Sequence, residues 1–179
     1  IYAIRDKNEK DAVSPVLPTA GRSNLQQQTV LNERVVDFGS FSENVRVTSA
    51  NAVTSAQDGW YLNLPAAGER EVSTPILRGS RLIFTTIVPS GDACSAGGES
   101  WLMEVNALSG ARLKAAPIDL NRDRSFNKDD FVPVDPNDPD SELVVVTGHA
   151  REAVEAQVWI VVKHGVSPPQ VPAASTQRM

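Results

Sequence analysis

The stretch from Gly59 to Gly110 leaves this chain little choice of architecture. Trp60, Tyr61, Leu62 and Leu64 form an apolar run that Pro65-Ala66-Ala67-Gly68 ends. Val72-Ser73-Thr74-Pro75-Ile76-Leu77 then passes through Arg78-Gly79-Ser80 into Arg81-Leu82-Ile83-Phe84-Thr85-Thr86-Ile87-Val88. β-Branched and aromatic residues suit a half-buried pleated surface, and a glycine between two such runs marks a hairpin. Trp101 to Leu108 supplies a third run, ended by Ser109-Gly110. Three adjacent strands are therefore expected as a meander. Pro75 has no amide N–H to offer a ladder, which puts its strand at an edge or a bulge.

The flanks carry the same signal more weakly. Residues 1–5 read as a short strand, followed by a charged turn from Asp6 to Asp11 and a loop containing Pro15 and Pro18. Leu25 to Leu31 alternates weakly, and Val35-Val36 and Val45-Arg46-Val47 suggest short strands separated by Gly39 and serines. Leu143 to Thr147 and Val158 to Val162 are strong strand signals. Arg151 to Ala156, between them, is long enough for one helical turn only. The end, from Gly165 to Met179, contains Pro168, Pro169 and Pro172 and reads as a tail or linker. No segment has the pattern of a three-turn helix, so the chain is expected to be all-β.

With 179 residues, 41% of them hydrophobic, the chain can fill the core of one domain or of part of a larger one. The 22 acidic and 17 basic side chains leave a net charge of −5, which offers nucleic acid no electrostatic attraction. Long apolar spans and dense cysteines are both missing, which disfavours a membrane-spanning chain and a disulfide scaffold. The single cysteine, Cys94, sits in a Gly/Ser-rich loop. It is a buried thiol, a reactive thiol, or half of a bridge whose partner lies outside the chain. The opening Ile1-Tyr2-Ala3-Ile4 has neither an initiating methionine nor a signal peptide, and reads as the middle of a longer polypeptide.

The most informative polar segment is Asp119-Leu120-Asn121-Arg122-Asp123-Arg124-Ser125-Phe126-Asn127-Lys128-Asp129-Asp130. Oxygen-bearing side chains fill the first, third, fifth, seventh, ninth and twelfth places. Calcium takes six to eight hard oxygen ligands, and a twelve-residue loop with this spacing can wrap one ion in the manner of an EF-hand. Asp119, Asn121 and Asp123 are the expected side-chain ligands, with Ser125 contributing its carbonyl. Asn127 would bind directly or through water, and Asp130 would close the shell. Phe126 and Phe131 are placed to anchor the loop to a core. Arg124 stands where an EF-hand has glycine, and Asp130 is shorter than the usual glutamate. The competing reading is a solvated acidic loop stabilised by Arg122, Arg124 and Lys128. Asp135, Asp138 and Asp140 alternate with prolines and read as turn residues.

Patterns for catalysis are sparse. His149 and His164 are the only histidines, scattered in β-rich sequence, and His149 reads as a hydrogen-bonded loop residue. No zinc spacing, nucleophile elbow or phosphate-binding glycine loop is present. Glu69 and Glu71 flank Arg70 and read as charges on a solvated turn, although a hydrolytic carboxylate pair could be drawn there.

Gly59-Trp60-Tyr61-Leu62-Asn63-Leu64-Pro65, Gly68-Glu69-Arg70, Thr74-Pro75-Ile76-Leu77-Arg78-Gly79 and Leu82 to Pro89 form one set of linked motifs. Together with Cys94, Gly97-Gly98 and Trp101 to Gly110, they resemble the PilY/PilC family of type IV pilus tip-associated proteins. The acidic run Asp119 to Phe131 extends the likeness. Asn63 and Asn106 stand where such strand ends are expected to carry aspartate. The resemblance implies a partial β-propeller made of antiparallel meander sheets, its terminal blades in residues 1–166, followed by a Pro-rich tail at 167–179. It also implies a large exported protein at the pilus tip or outer membrane surface, reached through the periplasm. Such a protein acts without catalysis in pilus biogenesis, twitching motility and adhesion. The partners implied are the remaining blades of the parent protein, minor pilins or pilus-tip components, and a host surface, with no nucleic acid. Two other readings are an exported carbohydrate- or matrix-binding module and a hydrolase fragment. In the first of these, Trp60, Tyr61 and Trp101 would line an exposed face. In a propeller they would be packed.

Overall fold

A computed structural model describes residues 1–5, 21–90 and 98–152. The Asp6–Asp11 turn, the loop of Pro15 and Pro18, Cys94, the Val158 to Val162 run, His164 and the Pro-rich tail lie outside the described residues, as does most of the single helical turn expected near residue 153. The described chain is built from strands. These are β1 (Tyr2–Ile4), β2 (Gln26–Gln28), β3 (Val30–Asp37), β4 (Ser42–Thr48), β5 (Gly59–Leu62), β6 (Arg70–Glu71), β7 (Ile76–Arg78), β8 (Arg81–Pro89), β9 (Gly98–Asn106), β10 (Phe131–Pro133), β11 (Leu143–Val145) and β12 (Gly148–Glu152). The only helical elements among the described residues are two short 3-10 turns, Gly21–Asn24 and Lys128–Asp130. None is long and apolar enough to cross a membrane.

The expected meander is present: β7 pairs with β8 and β8 with β9, all antiparallel. Gly79 makes the β7–β8 turn at φ 60°, a left-handed conformation that costs glycine little. Pro75 lies just before β7, which pairs on one side only, as a residue without an amide donor requires. The two short strands expected around Gly39 are longer than their valines suggested and form one antiparallel hairpin, β3–β4. Its edge strand β3 alternates half-buried and exposed along all eight residues.

The propeller expectation is not met. The sheets are open: one of seven strands runs β3-β4-β12-β9-β8-β6, with β7 also on β8, beside a three-stranded sheet β1-β5-β2 and a two-stranded β10-β11. Separate radial blades would require the β3–β4 hairpin and the β6–β9 meander to belong to different sheets. Instead β12 inserts between β4 and β9, pairing His149 with Val45 on one side and with Leu102 on the other. That one non-local strand welds two local hairpin systems into a continuous sheet. Turn signals identify neighbours in sequence and carry no information about a strand arriving from about a hundred residues away.

The two small sheets pack on opposite faces of the large one, because neighbouring strand residues point opposite ways. Val45 and Val47 of β4 join Leu120, Val132, Val144 and Val146 in one core beneath β10–β11. Trp60 and Leu62 of β5 join Phe84, Trp101, Met103 and Val105 of β8 and β9 in the other. Trp60 and Trp101 are fully buried, 0% and 1% exposed. They pack between sheets and do not form the open aromatic face that a carbohydrate-binding module would need. Gln28 ties the small sheet down: its amide nitrogen donates to the carbonyls of Asn51 (2.7 Å) and Ser109 (2.8 Å), while its oxygen accepts from Ser49 Oγ (2.6 Å).

Candidate functional site

The acidic run leaves one core and returns to it. Leu120 is buried at its start and Val132 just past its end, so the loop is pinned at both stems to the core beneath β10–β11. The expected aromatic anchors do less: Phe126 is half exposed, and Phe131 is only half-buried.

Between the stems the side-chain oxygens mainly organise the backbone. Asp130, itself buried, accepts the amides of Leu120 (2.7 Å) and Asn121 (3.4 Å) on Oδ1 and that of Asn127 (3.0 Å) on Oδ2. It thereby staples the loop's two ends together. Asn127 caps the Lys128–Asp130 turn by accepting the Asp129 amide at 2.6 Å. Asn121 Oδ1 accepts the Asp123 amide (2.9 Å), Asp123 Oδ1 accepts the Ser125 amide (2.6 Å), and Asn121 Nδ2 donates to Asp123 Oδ2 (3.1 Å). Asp119 Oδ2 accepts the amide of Arg124, across the loop, at 2.9 Å.

The turn for which glycine was expected is made without it. Arg124 adopts φ 70° and Arg122 φ 61°, each a left-handed conformation that costs a Cβ-bearing residue about 1–2 kcal/mol. The loop therefore takes its sharp bend at a cost offset by the amide bonds above.

Whether these residues suit a cation turns on Asp119. Its Oδ1 is buried and has no hydrogen-bond partner. A buried carboxylate oxygen with nothing to accept is costly, and a hard cation would satisfy it. Asp119 Oδ2, Asp123 Oδ1 and Asp130 Oδ2, which each accept one amide, also keep a second lone pair. Against this, no group of three or more His, Cys, Asp or Glu side chains among the described residues is gathered as a metal site. The loop is closed and stapled, and its donor set includes the asparagines and a backbone carbonyl as well as carboxylates.

The loop's basic residues do not serve it as counter-ions. Arg122 reaches out to the central sheet, where its Nη2 lies 2.6 Å and its Nε 3.1 Å from Oε1 of Glu43 on β4. The guanidinium also lies over the Phe41 ring, 4.1 Å from its centre. The other oxygen of Glu43 meets Nε2 of His149 on β12. His149 is thus a strand residue in a buried polar cluster and not a loop residue. The cluster had a sequence signal: in Glu43-x-Val45-x-Val47, strand alternation puts a carboxylate on the same face as two core valines.

A second ionic cluster lies on the opposite face. Arg46, 0% exposed, forms a two-pronged pair with Glu69 (2.5 and 3.0 Å) and reaches Glu33 at 2.8 Å, with its guanidinium 3.8 Å from the centre of the Trp101 ring. Glu69 also accepts from Thr86 Oγ1 at 2.6 Å. Glu69 is therefore a fully buried structural partner and not a charge on a solvated turn. An open groove of about 980 Å³ runs beside Ile1, Tyr2, Leu77, Leu82 and Leu108. Glu71 is the only charged side chain among its lining residues, so carboxylates do not converge there.

An open, mainly antiparallel β module with a stapled acidic loop is the class that fold and site define. No family model matches the chain. It is 32% identical over 124 residues to a Xylella fastidiosa type IV pilus biogenesis factor PilY1 homolog, covering 61% of this chain and 8% of that protein. A second Xylella fastidiosa sequence of the same description is 34% identical over 107 residues, covering 56% of this chain and 8% of its own length. The chain thus spans less than a tenth of these curated relatives. The crystal structure of the Pseudomonas aeruginosa PilY1 C-terminal domain superposes with a TM-score of 0.68 at 24% identity, over 84% of this chain and 31% of that one. Sequence and fold agree on a distant relationship to PilY1-type pilus proteins.

Proposed function

We propose that the chain is a non-enzymatic structural module of a type IV pilus-associated protein, outside the cell at the pilus tip or outer membrane surface. Its work is support of pilus biogenesis, pilus dynamics and surface adhesion, in contact with minor pilins or other tip components. The likeness over 124 residues to a pilus biogenesis factor carries this reading. Deleting residues 59–130 from the full-length protein in a piliated cell is expected to abolish most surface pili and twitching. Wild-type piliation with the deleted protein stably present would sink the proposal.

The same module holds a calcium ion in residues 119–130, with Asp119, Asn121 and Asp123 binding through side chains and Ser125 through its carbonyl. Asn127 completes the shell, and Asp130 closes it. The buried, unpartnered Oδ1 of Asp119 supports this assignment. Bound calcium supplies positive charge that the loop's own cations do not provide. Calorimetric melting with calcium, magnesium or a chelator tests it. At calcium a hundredfold above Kd the midpoint is expected to rise by roughly 5–10 °C over the chelated protein. An identical midpoint in all three conditions would remove the ion from the account.

A further inference from the structure

We infer that Glu43 keeps the acidic loop open to a divalent cation by holding the loop's own arginine away from it. This rests on the calcium reading above. Arg122 occupies the fourth place of the loop, between Asn121 and Asp123. A guanidinium offers five donors in a fork that matches carboxylates, so an arginine inside a ring of carboxylates is their nearest competitor for a metal ion. Yet among the described residues no arginine or lysine forms an ion pair with Asp119, Asp123 or Asp130. Arg122 is instead turned outward onto Glu43, 79 residues away in sequence, by two donors to one oxygen at 2.6 and 3.1 Å.

Three features make that outward position a built one. Glu43 is only 4% exposed, so its charge is compensated by protein groups and little by water. Its second oxygen is engaged by His149, which leaves Oε1 aimed at the loop. Phe41, two residues before it on the same strand approach, forms the floor on which the guanidinium lies. The central sheet thus neutralises the charge that would otherwise occupy the loop. By linkage, formation of the Arg122–Glu43 pair and cation binding favour each other by the same factor.

Calorimetric titration with calcium chloride of the wild type, Glu43→Gln, Arg122→Gly and the double variant tests this, each checked for fold by circular dichroism. Glu43→Gln is expected to bind calcium about tenfold more weakly, because Arg122 is released onto the carboxylates. Arg122→Gly, which keeps the Glu43–His149 contact, is expected to bind at least as tightly as the wild type. The double variant is expected to match Arg122→Gly, a rescue that a merely structural role for Glu43 would not produce. Wild-type affinity in Glu43→Gln, weaker binding in Arg122→Gly, or no rescue in the double variant each overturns the inference while the calcium reading stands. A wild type that takes up no calcium overturns both.

Discussion

Glu69→Ala is expected to cost about 3–5 kcal/mol of folding stability, because it leaves the Arg46 guanidinium buried with only the half-exposed Glu33 as a carboxylate partner. Urea denaturation of the isolated module gives the number directly, and a loss below about 1 kcal/mol would contradict a fully desolvated pair. Replacing both partners, Arg46→Met with Glu69→Leu, is expected to recover much of the loss, since an apolar pair of similar volume needs no compensation. The same carboxylate makes stability depend on pH. Burial alone pushes the Glu69 carboxyl up, but the hydrogen bonds from Arg46 and Thr86, the Arg46 charge and the Ala66 amide outweigh it and hold the group below its ordinary 4.5. A carboxylate whose folded pKa is depressed stabilises fully above its unfolded value and loses that contribution as pH falls through the folded value. Acid unfolding below about pH 4.5 is therefore expected to flatten in Glu69→Gln.

Gly110→Ala is the other large effect. Gly110 sits at φ 69°, and an added Cβ would fall on the indole of Trp60, 2.8 Å from Cζ3 and closer still to Cε3 and Cδ2. Trp60 cannot yield easily: it is fully buried, and its Nε1 donates to the Ala107 carbonyl at 3.0 Å. Overpacking costs about 1–3 kcal/mol, and the left-handed backbone about 1–2 kcal/mol more. Gly79→Ala separates the two terms, because Gly79 has φ 60° with nothing within 4 Å of the new Cβ. It should show the backbone cost alone. Equal losses at the two positions would mean that Trp60 repacks freely, and a changed tryptophan fluorescence in Gly110→Ala would report that movement.

Much of this arrangement was legible in local sequence. Alternating β-branched residues and glycine turns identified β7, β8 and β9 in order, and Pro75 correctly marked an edge. The acidic run stood out by spacing alone, and Asp130, expected there to close a shell of ligands, accepts backbone amides from both ends of the loop. What could not be read was any contact made across sequence distance. Glu69 looked solvated because it follows the Pro65-Ala66-Ala67-Gly68 turn and precedes Arg70 and Glu71, yet Arg46, 23 residues earlier, pairs with it in the interior. Arg122 looked like a local counter-ion for its neighbours until Glu43 and Phe41 were brought beneath it. The propeller expectation failed on the same ground, since β12 enters the sheet between strands that no local signal connects to it.

The chain by itself determined its β character, its meander and the place of its acidic loop, because these follow from backbone preferences and side-chain alternation over a few residues. Only the tertiary structure decided that the sheets stay open, which carboxylates are buried, and where the loop's arginine points. Those outcomes depend on how the strands pair, and the pairing is set by burial summed over the whole core and not by any one segment.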